Sequence, residues 1–357
     1  MKKLLVMTTA LTALGGAAIA QESITVMSWG GAYTTSQIEA YYKPFTAETG
    51  IVINSVDADN PATPIKAQVE AGNVSVDVAD VEYADAVRLC DEGLLEPIDQ
   101  SMLAPGADGT PAAEDFVTGA LTECLVSTIV FSTIYAYDTT KFPEGPTTIA
   151  DFFDTAKFPG KRGMRKGAKA NLEMALMADG VPAAEVYSVL ATPEGVDRAF
   201  AKLDQIKADV IWWDAGAQPP QLLADGEVAL TTAYNGRIFG AAVGEGKPFE
   251  VVWDGQVYEL EGYVIPKGAP NKDLAMKFIA YASTPQKLAD QAKWISYGPA
   301  RKSSGALVGL YQDGKTEMGP HMPTAEANLK NALASSYEFW VDYDSELNER
   351  FNAWLAQ

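Results

Sequence analysis

The segment Ser127-Thr128-Ile129-Val130-Phe131-Ser132-Thr133-Ile134-Tyr135-Ala136-Tyr137 is long, rich in β-branched and aromatic residues, and free of charge. That composition predicts a strand, and its length predicts one that runs from one half of the molecule into the other. A second β-rich run, Tyr258 to Pro266, follows after a further helix-and-strand half. Two crossings of this kind make each half discontinuous in sequence. The expected division is 21–136 with 266–310 for one lobe, and 137–265 with 311–357 for the other.

Upstream of the first crossing the chain alternates. Ser23 to Trp29 is a short β-branched run, broken by Gly30-Gly31. A helical pattern then extends from about Thr35 to Thr49, with Ile38, Tyr41, Tyr42 and Phe45 on its apolar face. Gly50 stops it, and Ile51-Val52-Ile53 begins a second strand. Pro64 to Ala71 reads as helix, Val76 to Val81 as strand, Ala84 to Glu92 and Asn271 to Ala282 as helix. This rhythm predicts an α/β fold with a mixed, mostly parallel sheet flanked by helices. Such sheets bind ligands beyond the carboxyl ends of their strands. Trp29 and Glu82-Tyr83 stand at two such ends. Position alone suits Trp29 equally to the crevice or to an interfacial core.

The chain opens with Lys2 and Lys3, an apolar stretch from Leu4 to Ile19, and Ala18-Ile19-Ala20 before Gln21. That is the layout of a cleaved secretory signal peptide. The expectation is a free periplasmic protein, mature from about Gln21. Cys90 and Cys124 are the two cysteines, and an oxidising compartment favours a disulfide between them, buried free thiols being the alternative. The formal net charge of -20 disfavours nucleic acid and anionic membrane partners and mildly concentrates cations. One histidine, His321, is thin provision for acid–base catalysis. There is no Gly-x-Ser-x-Gly elbow, His-Glu-x-x-His or phosphate loop. The adjacent tyrosines Tyr41-Tyr42 lie in the first helix, away from the second half where a ferric-ion binder would want them. The reading is therefore a monomer without enzymatic activity, cofactor or metal.

Several stretches resemble the polyamine-binding group of extracellular solute-binding proteins and its γ-aminobutyrate-binding relatives. They are Ile24 to Tyr33, Ala224-Asp225-Gly226-Glu227-Val228-Ala229-Leu230 followed by Ala233-Tyr234-Asn235-Gly236, Tyr263-Val264-Ile265-Pro266-Lys267-Gly268-Ala269, and the helix from Asp273 to Ile279. The resemblance implies a type II periplasmic binding protein, two α/β lobes joined by crossing strands, that hands a solute to an inner-membrane ABC permease. It also implies a ligand site. Trp29 and Tyr33 match aromatics of a first loop, Tyr234 an aromatic of the second lobe, and Tyr297 a late aromatic. Glu261 matches an acidic partner for a ligand ammonium.

The departures bear on the ligand. Where polyamine binders carry a further acidic pair, this chain places Gly167 and Ala170 among Lys161, Arg162, Arg165, Lys166 and Lys169. A second ammonium would then lack a partner, and an unpaired buried charge is costly. Arg237 adds a guanidinium that can grip a carboxylate, although a surface position serves it equally. Asp214 and Gly216, after Trp212-Trp213, can approach the ligand from the second lobe. Arg165 is the pocket candidate of the basic cluster. Aromatics, one or two carboxylates and a guanidinium suit a zwitterion, such as the short ω-amino acid γ-aminobutyrate, better than putrescine or spermidine.

Overall fold

The computed structural model describes residues 21–357, so the expected signal peptide lies outside the described residues. In chain order the main strands are β1 (Ser23–Ser28), β2 (Val52–Asp57), β3 (Val78–Glu82), β4 (Val126–Asp138), β5 (Arg162–Arg165), β6 (Val210–Trp213), β7 (Leu230–Tyr234) and β8 (Phe249–Pro266). They lie side by side in the order β2-β1-β3-β8-β4-β7-β5-β6. The outer strands on each flank run parallel. The two long central strands pair antiparallel with each other and with their neighbours. The chain is thus an α/β protein whose parallel flanks are joined through two crossing strands.

Both crossings are where the β-rich runs place them. β8 begins nine residues earlier than Tyr258, because Trp253-Asp254-Gly255 interrupts the apolar run without ending the strand. The pairing continues from Val126↔Tyr263 to Asp138↔Phe249. Register shifts at Ser127/Ile129 and Thr133/Tyr135 break the ladder there, as β-bulges do, and bend the strand.

The first helix also begins early. Gly30 and Gly31 hold φ of 71° and 59°, a left-handed pair that turns the chain straight from β1 into α1 (Gly31–Gln37). A π-helical turn (Ile38–Tyr42) leads into α2 (Lys43–Thr49), which Gly50 ends at φ 77°. The helices α3 (Ala62–Glu70) and α4 (Tyr83–Asp91) follow β2 and β3. Later elements used below are α5 (Asn171–Ala178), α6 (Gln218–Ala224), α7 (Asn235–Phe239), α8 (Lys272–Ala282) and α9 (Tyr337–Leu355). No described helix is long and apolar enough to cross a membrane.

Apolar burial is divided along the sheet. One cluster joins Ile24, Phe45 and Val78 to Tyr263 and Phe278 of α8. Another joins Tyr135, Met164, Leu176 and Phe200 to Trp340 and Phe351 of α9. Each therefore draws on chain before and after the crossings. Cys90 and Cys124 form a disulfide across a sequence separation of 34. It ties α4 to the entry of β4 and, by closing a loop of that size, stabilises by about 3–4 kcal/mol in the chain-entropy account.

One charged group lies inside the second cluster. Glu173 of α5 is fully buried. Its Oε1 accepts from Trp340 Nε1 at 2.8 Å and from the Tyr187 hydroxyl at 3.1 Å, while Oε2 has no partner. Burial pushes its pKa up to about 7. A raised folded-state pKa means that the stability contribution is complete below the unfolded value of about 4.3 and is lost as pH rises through 7. Glu173→Gln should therefore gain melting temperature relative to wild type as pH goes from 5 to 8. The underlying difference is on the order of 3 kcal/mol. Parallel melting curves across that range would show that Glu173 does not titrate.

Candidate functional site

The site starts from a clash of like charges on one face of the sheet. Side chains two apart in a strand share a face, so Asp80 and Glu82 of β3 point the same way. Register places Glu82 opposite Glu261 of β8, and Asp80 opposite Tyr263. Directly opposed carboxylates destabilise a sheet. The structure resolves the conflict in two ways.

Glu82 is neutralised by cations. Its Oε1 accepts from Arg165 Nη1 at 3.3 Å and its Oε2 from Lys169 Nζ at 2.9 Å. Burial disfavours its charge, but Lys169 and Arg165 overcome that and hold its pKa down to about 2. Glu261 has no such cation. Burial first, then the neighbouring Asp80, pushes its pKa well above the usual carboxyl range. Asp80 is itself raised to about 6 by burial, against the hydrogen bonds it accepts from Tyr33 and Gln37. Tyr33 and Gln37 reach Asp80 Oδ2 at 2.9 and 2.6 Å. Its Oδ1, like the indole Nε1 of Trp29, is buried without a formed hydrogen bond. Both carboxyls are thus pushed towards their protonated forms, Glu261 the more strongly, and Glu261 faces the cavity.

Around Glu261 a narrow slot opens at the carboxyl ends of the strands. It encloses about 400 Å³ including its mouth, but only about 20 Å³ lies far enough from the walls to take the centre of a water molecule. Trp29 enters from the β1–α1 turn and Tyr33 from the first turn of α1, Glu82 from the end of β3 and Glu261 from within β8. Asp214, Gly216 and Tyr234 come from the other half, with Arg237 of α7 and the late residue Tyr297. The rings pack edge to face: Tyr33 on Tyr297 at 5.5 Å, and Tyr234 on both Phe131 and Trp213, at 5.4 and 5.7 Å. This gives fixed aromatic walls of the kind that attract a cation.

Arg237 ties the halves together. It is 6% exposed, and Nη1 donates to the Gly30 carbonyl at 2.7 Å and Nη2 to that of Trp29 at 3.4 Å. Its Nε is buried with no partner. Two glycines make the approach possible. A Cβ on Gly31 would lie 2.5 Å from Arg237 Nη1, and one on Gly216 would lie 2.9 Å from the Tyr234 ring.

The profile of the bacterial extracellular solute-binding protein family matches residues 40–324. The chain belongs to that family. This solute-binding protein is 49% identical over 346 residues to the γ-aminobutyric acid (GABA)-binding protein of Pseudomonas aeruginosa, covering 97% of this chain and 94% of that one. It is 27% identical to the spermidine/putrescine-binding periplasmic protein of Salmonella typhimurium over 76% of this chain and 79% of that one. Among solved structures, the PBP MotA from Agrobacterium tumefaciens B6 in complex with glucopine superposes with a TM-score of 0.85 at 29% identity, covering 93% of this chain and 99% of that chain. A GABA receptor structure superposes at 0.79 with 34% identity, covering 94% and 98%.

Nine of the eleven residues singled out from sequence line the slot of this solute-binding protein: Trp29, Tyr33, Glu82, Asp214, Gly216, Tyr234, Arg237, Glu261 and Tyr297. Arg165 stands behind the wall, bonded to Glu82 and 5.8 Å from the Tyr234 ring centroid. Tyr83 is elsewhere. It opens α4, one residue past Glu82, so its ring turns away from the slot and packs on Tyr337 at 4.6 Å. Three residues escaped the sequence reading. Asp59 lines the slot just beyond β2, where the strand-end rule that selected Trp29 would have found it. Phe131 and Asp80 sit inside strands, and only sheet register shows which face each takes.

Protonation of Glu261 is directly observable. Wild-type protein at pH 7 should show a protonated-carboxyl infrared band that Glu261→Gln abolishes or shifts. An unchanged band in that variant would mean that Glu261 is ionised.

Proposed function

We propose that this chain is the periplasmic substrate-binding component of an ABC importer, and that its ligand is a short ω-amino acid such as GABA. The observation that carries the ligand reading is the composition of one slot. A guanidinium, Arg237, and a carboxyl, Glu261, share it with aromatic walls. The high identity to a GABA-binding relative over nearly the full chain supports it. In this reading the ligand carboxylate bonds Arg237, whose Nε is otherwise unpartnered, and charge-assisted bonds of this kind are the strong ones. The ligand ammonium takes the place of the proton on Glu261 and stacks on Trp29 or Tyr234. The protein makes no covalent change to its ligand.

Capture follows from the lobes. Residues 21–136 with 266–310, and 137–265 with 311–357, are proposed to move about β4 and β8. A ligand that touches both walls favours the closed state by its differential affinity for it. The closed form then docks on a permease. A putrescine-binding reading is favoured by one observation: four acidic residues, Asp59, Glu82, Asp214 and Glu261, share the lining with the one cation Arg237.

Calorimetric titration with GABA and putrescine separates the two readings. GABA should bind, and Arg237→Met should weaken it by about 100-fold, the loss expected for a charge-assisted pair, without weakening putrescine. Preferential binding of putrescine by the wild type would place Arg237 outside the ligand's contacts.

Binding should also release a proton. The free protein holds one at Glu261 and the bound protein does not, so affinity rises with pH from 6 to 8. The measured binding heat should then vary with the buffer's ionisation enthalpy. Identical heats in buffers of different ionisation enthalpy would show that no proton moves.

A further inference from the structure

Behind the Glu82 wall lies a second, polar cavity of about 860 Å³ including its mouth, lined by Arg165 and Lys169 among others. Glu82 belongs to the lining of both cavities, so its carboxylate is the partition between them. On the far side the Lys169 ammonium bonds Glu82 Oε2 at 2.9 Å and also contacts Glu259 of β8. Its side chain is 16% exposed, and those of its partners are 8% and 11%. A primary ammonium is thus held between two buried carboxyls, one wall away from the slot.

The backbone beside Lys169 is strained to put it there. Ala170 has φ 66°, the only non-glycine residue with positive φ among the described residues. That conformation is unfavourable for a residue with a Cβ and persists where surrounding contacts impose it.

We propose that Lys169 is a specificity residue whose ammonium fills, from within the chain, the cation position between Glu82 and Glu259, so that the slot accepts one ligand ammonium and discriminates against diamines and polyamines. The inference rests on the slot being an amine site. A diamine held at Glu261 would extend its second ammonium towards Glu82, where both oxygens are already bonded to Lys169 and Arg165. With its partner taken, that second charge stays unpaired in a desolvated place, and such a charge opposes binding.

The test compares putrescine and GABA on wild type, Lys169→Ala, Lys169→Met and Lys169→Arg by calorimetry, with circular dichroism to establish folding. Lys169→Ala frees Glu82 Oε2, Glu259 and the space between them. Putrescine should bind it at least about tenfold more tightly than wild type, the gain expected from one charge-assisted bond, while GABA changes by less than about fivefold. Lys169→Arg keeps the cation and should keep the wild-type discrimination. Lys169→Met removes the charge and keeps the chain length, so it carries the same test if the alanine variant fails to fold. No putrescine gain in either neutral variant overturns the proposal, as does an equal gain in Lys169→Arg. The two readings fail separately. Absence of GABA binding to wild type removes the ω-amino-acid ligand, whereas the putrescine comparison between wild type and variants stands without it.

Discussion

Four carboxyl groups, Asp80, Glu82, Glu259 and Glu261, are carried by two neighbouring strands at the centre of the sheet and are removed from water. Left ionised and unpaired they would repel one another across a few ångströms of low-dielectric interior, and the β3–β8 pairing could not hold. Each neutralising device is a structural commitment. Lys169 and Arg165 come from the opposite half of the molecule, so pairing Glu82 brings the two halves together. Asp80 takes donors from Tyr33 and Gln37, which anchors the π-bulged first helix against the sheet. Glu261 receives no cation from the chain, and burial and the neighbouring Asp80 push it towards its protonated form. Of the four carboxyls, the one that faces the slot without a cation from the chain is Glu261.

Around that charge pattern, shape is controlled by backbone more than by side chains. Gly30 and Gly31 turn β1 into α1 so sharply that their carbonyl edge meets Arg237. Gly216 leaves room for the Tyr234 ring, and Gly236 for Ile295 and Tyr297. Added methyl groups at these points would strike a guanidinium or an aromatic ring, so the slot's narrow width is a consequence of where the chain has no Cβ. The aromatic residues then lock one another edge to face. Tyr234 is fixed from beneath by the buried Trp213, which presents a rigid wall rather than an adaptable one and reduces the entropy lost on binding.

The similar proteins are named for different solutes, from GABA and glucopine to spermidine and putrescine. In this chain the charges beside the slot are partly paired within the chain, Glu82 with Arg165 and Lys169, and Glu259 with Lys169. Of the basic run from Lys161 to Lys169, Arg165 and Lys169 meet these carboxyls, whereas Arg162 bonds the carbonyls of Phe152 and Phe158.

The sequence by itself determined the class of fold and the two crossings, because strand and helix periodicity and turn glycines are local properties. Strand ends and glycine breaks, which mark where a parallel sheet opens, pointed to Trp29 and Glu82; Tyr33, Tyr234, Glu261 and Tyr297 came from the resemblance to the polyamine-binding group. The sequence could not decide between Glu82 and Tyr83, because adjacent residues at a strand end diverge by the direction of a single backbone step. Nor could it find Phe131 or Asp80, whose faces depend on register shifts within β4 and on pairing with a strand nearly two hundred residues away. The partners of Arg165, Lys169 and Arg237 were likewise settled only by the tertiary structure. Charge pairing across the crossing strands is a long-range interaction, and nothing in the spacing of a cation along the chain says which carboxylate it will meet.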